Sequence, residues 1–315
     1  MILVNEQPSM DLNEPKRYMN LLVDYAFKRL FGQPQGADLL VAFLNAVLKR
    51  EGAKRIVQVE FHNTEFPSKD AQDKTVRLDV LARTNTDEWI DVEVQVAPQK
   101  ALAKRSLLYW ARVYDGQTER GKDYGILRPT IVIQILDFMF VHSTERFHTS
   151  YHVTEDHDGF RLSNELELHL IEMPKFRRTV GDIRAALHEP LQKWLLFLDA
   201  DQDPAIREEL EVLAMSDPTM EKAFNLWEAV SKDPKNWAAY INRDMALRDL
   251  NQMKREAREE GLEEGKLEGK LEGKLEGKLE TAKAMLEDGL DVGRVSRLTG
   301  IPVEELEHLQ EEHHE

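Results

Sequence analysis

The chain has 315 residues, 42% of them hydrophobic and 32% charged, with a formal net charge of −16. It contains no cysteine, which excludes disulfides, thiolate nucleophiles and cysteine-ligated zinc. The acidic balance excludes a protein that grips nucleic acid by bulk charge, because phosphate binding needs a positive footprint.

That length suits one sizeable domain and a smaller one. The first residues, M-I-L-V-N-E-Q-P-S-M-D, have no basic segment followed by an apolar run, and no stretch approaches the roughly 20 apolar residues of a membrane span. A cytoplasmic protein without a membrane segment is therefore expected. Residues 251–315 carry 10 Lys and Arg against 18 Asp and Glu, so half of the negative excess lies in the tail.

Met1–Arg17 reads as a polar lead-in with Pro8 and Pro15. Asn20–Phe31 reads as a helix offering Leu21, Leu22, Tyr25, Phe27 and Leu30 to a core, with Asp24 one turn before Lys28 as an i,i+4 pair. A Pro/Gly turn at Gln33–Ala37 precedes a second helix, Asp38–Arg50. Arg55–Phe61 reads as a strand and Asn63–Lys74 as a polar loop.

Val76–Ala82 and Trp89–Val96 read as two strands joined by the turn residues Thr84–Glu88. On the second strand Val92, Val94 and Val96 share one face, and Asp91, Glu93 and Gln95 the other. The polar row has two readings. One is a charged sheet face turned to water. The other is a divalent-metal site, with carboxylates from Asp79 and Glu93, an oxygen from the Val94 carbonyl, and Gln95 to hold a water or phosphate. The D-x13-E-x-Q spacing leaves both open.

Lys100–Thr118 reads as a helix whose Leu102, Leu107, Leu108, Ala111 and Tyr114 pack onto the sheet. Arg105, Tyr109 and Arg112 share a face as a phosphate contact or as an ordinary snorkelling surface. Thr130–Val141 is nearly all apolar and reads as a central strand buried on both faces. Phe147–Thr154 and Leu166–Glu172 read as further strands around an Asp156–Gly159 turn. His148 and His152 would stand about 13 Å apart on a strand, so no zinc site is expected. Helices follow at Val180–Asp199, Pro204–Leu213, Met220–Val230 and Lys235–Leu250, the last started by Asp233-Pro234. Phe224, Trp227, Trp237 and Tyr240 read as packing anchors.

Glu260–Glu280 is an internal repeat of Gly-Lys-Leu-Glu, with glycine at 261, 265, 269, 273 and 277. Each glycine costs a lone helix about 1 kcal/mol against alanine. The stripe reads either as a close-packing oligomerisation surface or as a low-complexity linker. Ala284–Leu309 reads as a small helix-turn-helix unit. Glu304, Glu305 and Glu307 on its second helix would repel phosphate, which favours a protein-binding or oligomer-capping role.

The segments D-Y-A-F-K-R-L-F-G (Asp24–Gly32), L-D-V, V-E-V-Q, R-S-L-L-Y-W (Arg105–Trp110), G-K-D-Y (Gly121–Tyr124), R-P-T-I-V-I-Q-I-L-D-F (Arg128–Phe138) and I-E-M-P-K-F (Ile171–Phe176) occur in this order. Together they resemble the Rpn family of recombination-promoting nucleases, transposase-like members of the PD-(D/E)XK nuclease superfamily. The resemblance runs from about Asp24 to Phe176, with a second matching stretch near the C-terminus. It implies an α/β, restriction-endonuclease-like mixed central sheet flanked by helices, followed by an all-α C-terminal region. It also implies a Mg²⁺-dependent endonuclease, with Asp79, Glu93 and Gln95 as the catalytic set and Asp24 at the metal region. The metal would be held by Asp79, Glu93 and Val94, and DNA by Arg105, Tyr109 and Arg112. Products with 5′-phosphate and 3′-hydroxyl ends follow from the same likeness. The last catalytic position, Lys in the wider superfamily, is Gln95 here, as is usual in this branch.

The expected organisation is a nuclease-like domain at 18–180, a helical extension at 181–250, the repeat helix at 251–283 and the tail at 284–315. The implied activity is DNA cleavage of low sequence specificity, tied to recombination, mobile elements or defence against foreign DNA. The implied assembly is a homo-oligomer through residues 251–315, joined by a C-terminal short form started at Met245 or Met253. The competing reading is a weak or inactive nuclease-fold scaffold whose repeat mediates assembly and regulation.

Overall fold

The computed structural model describes residues 17–66, 76–118 and 123–311. Most of the lead-in and the 67–75 loop therefore lie outside the described residues, as does the Gly121-Lys122 half of G-K-D-Y. The chain divides between Leu247 and Arg248 into two units.

The first unit is built on a six-stranded mixed sheet. Its strands are β1 (Val59–Phe61), β4 (Val80–Thr84), β5 (Trp89–Gln95), β6 (Thr130–Leu136), β7 (His148–Tyr151) and β8 (Leu166–Glu172), in the order β1-β4-β5-β6-β8-β7. β4 and β5 form the expected antiparallel hairpin, whereas β5, β6 and β8 run parallel. Every residue of β6 is buried, as its apolar run requires in mid-sheet. Val76–Ala82 is not one strand. It breaks at Leu78-Asp79 into β3 (Val76–Arg77) and β4, and β3 pairs with β2 (Glu65–Phe66) inside the stretch expected to be loop. The strand expected from Arg55 begins only at Val59.

One sheet face carries Val80, Ala82, Ile90, Val92, Val94, Ile131, Ile133, Ile135 and Ile171. Against it pack α1 (Asp24–Phe31), α2 (Ala37–Leu48), α4 (Met173–Thr179), α6 (Pro190–Asp199), α7 (Pro204–Ala214) and α8 (Pro218–Lys232) in one continuous core. Rings of Phe31, Phe43, Trp194, Phe197 and Trp227 meet edge-on across it. The expected helix Val180–Asp199 is interrupted. α5 (Ile183–Ala186) ends, and Pro190, which cannot donate to a helix ladder, opens α6. The expected helix Lys235–Leu250 is only the start of α9 (Pro234–Glu287), 54 residues long. The Asp233 carboxylate caps it at the Asn236 amide, 2.8 Å away.

α3 (Leu102–Asp115) covers the opposite sheet face. It buries Leu102, Ser106, Tyr109 and Val113. Leu107, Leu108 and Ala111 face outward instead of packing on the sheet.

In the second unit the repeat is helical. Nothing lies within 4 Å of a Cβ built on any of its five glycines, and Leu262, Leu267, Leu271 and Leu275 are exposed. α10 (Val292–Thr299) and α11 (Val303–Glu311) enclose Val295, Ile301 and Leu306 with Ala282. Gly300 makes the turn between them at φ 73°, a left-handed conformation that favours glycine.

Candidate active site

β5 alternates as its sequence dictates, but both of its faces are buried. Asp91 is 0% exposed, Glu93 2% and Gln95 7%, so the reading of a charged face in water is overturned. The polar row lies beneath α3, where two ionised carboxylates and an amide are costly unless something compensates them.

The bend at Leu78-Asp79 turns Asp79 toward that row. The Asp79 amide donates to Glu93 Oε1 at 2.8 Å, and the Val94 amide donates to Asp79 Oδ2 at 3.0 Å. Each carboxylate is thus fixed by the other strand's backbone, with oxygens left over. Burial pushes the Asp79 carboxyl up to about 6; the Val94 amide opposes it, the Asp24 charge adds to it, and Lys28 and Arg243 act against it. Glu93 and Asp91 lie well above the ordinary carboxylate range, again by burial first; the Asp79 charge then raises Asp91, and the Asp91 and Asp79 charges raise Glu93. Neither Asp91 oxygen has a donor among the described residues. Two carboxylates can bond only by sharing a proton, and Glu93 is the group placed to share one with Asp91.

Arg105 is the cation that opposes Asp91 and Glu93. It projects from α3, donating to the Tyr109 hydroxyl at 2.5 Å and to Gln99 Oε1 at 3.0 Å, with its guanidinium over the Tyr109 ring. Tyr109 is pushed up to about 12, by burial and then by Glu93, so it remains a neutral phenol. Arg112 lies on the same helix face, half-buried. Asp24 does not pair with Lys28. It takes a bidentate contact from Arg243 of α9, while Lys28 Nζ donates to Thr64 Oγ1 at 3.1 Å. Asp24 is nonetheless close enough to Asp79 to raise its carboxyl.

Three of the expected site residues, Asp79, Glu93 and Gln95, thus meet beneath α3 with Arg105 and Tyr109, and Asp24 flanks them. Two further buried polar residues of the same face were not among the expected site residues: Asp91, which the alternation places on the polar row, and Gln134, which interrupts the apolar run Ile131–Leu136. Arg243 carries no local signal. Among the described residues no group of three or more His, Asp or Glu side chains is arranged to hold one metal ion. His148 Nε2 meets His169 Nδ1 at 2.8 Å, and His169 Nε2 meets Glu167 Oε1 at 2.8 Å, which occupies those imidazoles with one another.

The buried K of I-E-M-P-K-F is structural. Lys175, 1% exposed, donates to Glu172 Oε2 at 2.8 Å and to the carbonyls of Val141 and Thr144. Glu172 Oε1 in turn accepts from the Phe140 and Val141 amides.

Comparison with known proteins gives one family. The model of the PD-(D/E)XK nuclease family transposase matches residues 21–257. No curated protein and no solved structure gives a significant match. No helix of the described residues is long and apolar enough to cross a membrane.

Proposed function

The chain belongs to the PD-(D/E)XK nuclease family transposases, and from that premise we propose that it is a divalent-cation-dependent DNA endonuclease of low sequence specificity. The observation that carries the reading is the clasp between Asp79 and Glu93, which sets two carboxylates against each other across the β4–β5 hairpin. The donor set fits a hard cation such as Mg²⁺: Asp79, Glu93 and the Val94 carbonyl offer only oxygen. The buried Gln95 carboxamide beside them, neither of whose polar atoms has a partner, supports the same fit.

When bound, the cation supplies charge neutralisation at the scissile phosphate and acidifies the hydrolytic water. Gln95 orients the attacking water through its carboxamide. Arg105 binds a non-bridging phosphate oxygen, with Tyr109 holding the guanidinium in place as a neutral hydrogen-bond partner. Arg112, one further turn along α3, contacts the DNA backbone. Asp24, held by Arg243, contributes outer negative charge to the metal region. The enzyme would act in the cytoplasm, in recombination, mobile-element activity or defence. Residues 251–315 would form its homo-oligomer, regulated by a short form started at Met245 or Met253.

The test is nicking of supercoiled plasmid with Mg²⁺ by the wild type beside Asp79→Ala and Glu93→Ala. Cleavage by the wild type alone supports the assignment, and equal cleavage by all three refutes it. A second reading, a non-catalytic scaffold, is favoured by Gln95 in the Lys position and by the exposed leucine column of the repeat. It predicts no cation binding that depends on Asp79.

A further inference from the structure

We propose that Gln134 is an additional residue of the cation site, a neutral oxygen donor at the strand position level with Glu93. The proposal rests on the cation-dependent reading above and names a residue that the D-x13-E-x-Q pattern does not contain.

The first observation is the side chain's isolation. Gln134 is the polar residue between Ile133 and Ile135, in a strand buried throughout. It is 0% exposed, and neither its Oε1 nor its Nε2 has a hydrogen-bond partner. A buried amide left this way is costly, and a leucine would fill the same strand position without that cost.

The second observation is register. The parallel pairing of β5 with β6 sets Gln134 level with Glu93, with Val132 level with Asp91 and Leu136 level with Gln95. Level neighbours in a parallel pair project to the same side. Gln134 therefore joins the Asp91, Glu93 and Gln95 row, on the strand position next to the residue assigned to the cation. Gln95 shows the same isolation, with both amide atoms buried and unpartnered. The α3 cover does not answer them. Ser106 donates to the Leu102 carbonyl, and Arg105 donates to Tyr109 and Gln99.

The third is chemistry. No three carboxylate or imidazole side chains of the described residues are arranged around one ion, so further oxygens must come from neutral groups, solvent or substrate. The site already holds Asp79, Asp91 and Glu93 with Arg105 opposing two of them. A carboxamide adds an oxygen donor without adding repulsion, and its N–H₂ can hold a neighbouring carboxylate.

The experiment is Mn²⁺ binding to the full-length protein by isothermal titration calorimetry, with Tm in chelator measured alongside. The proteins are wild type, Asp79→Ala, Glu93→Ala, Gln134→Leu and Gln134→Glu. Gln134→Leu is expected to weaken Mn²⁺ binding about tenfold, the scale of a supporting residue, with Tm in chelator unchanged or higher. Gln134→Glu is expected to tighten binding and lower Tm in chelator, which keeps the question answerable if the leucine variant fails to fold. Binding that is lost in Asp79→Ala and Glu93→Ala but unaltered in both Gln134 variants overturns the role of Gln134 alone. A wild type that binds no Mn²⁺, or binds it regardless of Asp79 and Glu93, overturns the nuclease site and this proposal together.

Discussion

The Asp79 amide donates to Glu93 Oε1 at 2.8 Å, so Glu93 fixes the bend that presents Asp79 as well as supplying a carboxylate. The two roles separate by substitution. Glu93→Gln keeps an oxygen that accepts from the Asp79 amide and removes a buried charge repelled by Asp79 and Asp91. It should leave the fold intact and raise Tm in chelator by a few °C, about 1 kcal/mol. It should also abolish Mg²⁺-induced stabilisation and cleavage. Glu93→Ala loses the hydrogen bond too, and should fall below wild type in Tm. Thermal melts with and without Mg²⁺ check both. Retained cleavage in Glu93→Gln would rule out its carboxylate as a cation ligand.

The Glu172–Lys175 pair is predicted to be structural. Both side chains are essentially unexposed, and four main-chain groups of the 140–144 segment depend on them. Lys175→Met leaves a buried carboxylate without its cation and two carbonyls without a donor. Breaking such a pair costs about 3–5 kcal/mol. Urea unfolding should show that loss, with Mg²⁺ affinity per folded molecule unchanged. A loss under about 1 kcal/mol would show that the pair is dispensable.

Asp201, in a separate charged cluster with Asp199, Arg177 and Asp137, gives a pH dependence of its own. Burial, then the Asp199 charge, pushes its carboxyl up to about 7, and its Oδ1 has no partner. An acid whose folded value exceeds its unfolded value binds more protons when folded, so this group lowers stability as pH rises from about 4 to 7. Asp201→Asn removes the penalty. Its urea midpoint should match wild type near pH 4 and exceed it at pH 8, by up to a few kcal/mol in stability. An equal difference at both pH values would show that titration of Asp201 is not the cause.

The hairpin was legible because its period of two is local: V-E-V-Q alternates whatever the chain does elsewhere. Asp24–Arg243 was not, because 219 positions separate the partners and nothing near either announces the other. Gln134 beside Glu93 depends on the register of a parallel pair, which only the crossover through α3 determines. On α3 the local signal misled. Leu107, Leu108 and Ala111 form the more apolar stripe, yet Ser106 and Tyr109 turn inward with Leu102 and Val113. The sheet face there carries Asp91, Glu93, Gln95 and Gln134, and a mixed helix face meets a polar row at less cost than a leucine face does.

The glycine repeat yields opposite signs for its two readings. Each of Gly261, Gly265, Gly269, Gly273 and Gly277 has open space where a Cβ would stand. In a solitary helix, alanine at each position should stabilise by about 1 kcal/mol and nothing else should change. In the proposed oligomer the same Cβ atoms would hold two backbones apart and uncover the leucine column. The expected result is that wild type shows a concentration-dependent mass by sedimentation, while the five-alanine variant is monomeric but more helical by circular dichroism. A wild type that stays monomeric at every concentration would remove the oligomer and leave a lone helix. An alanine variant that assembles as well as wild type would keep the oligomer but move its contact off the glycine stripe, to the leucines alone.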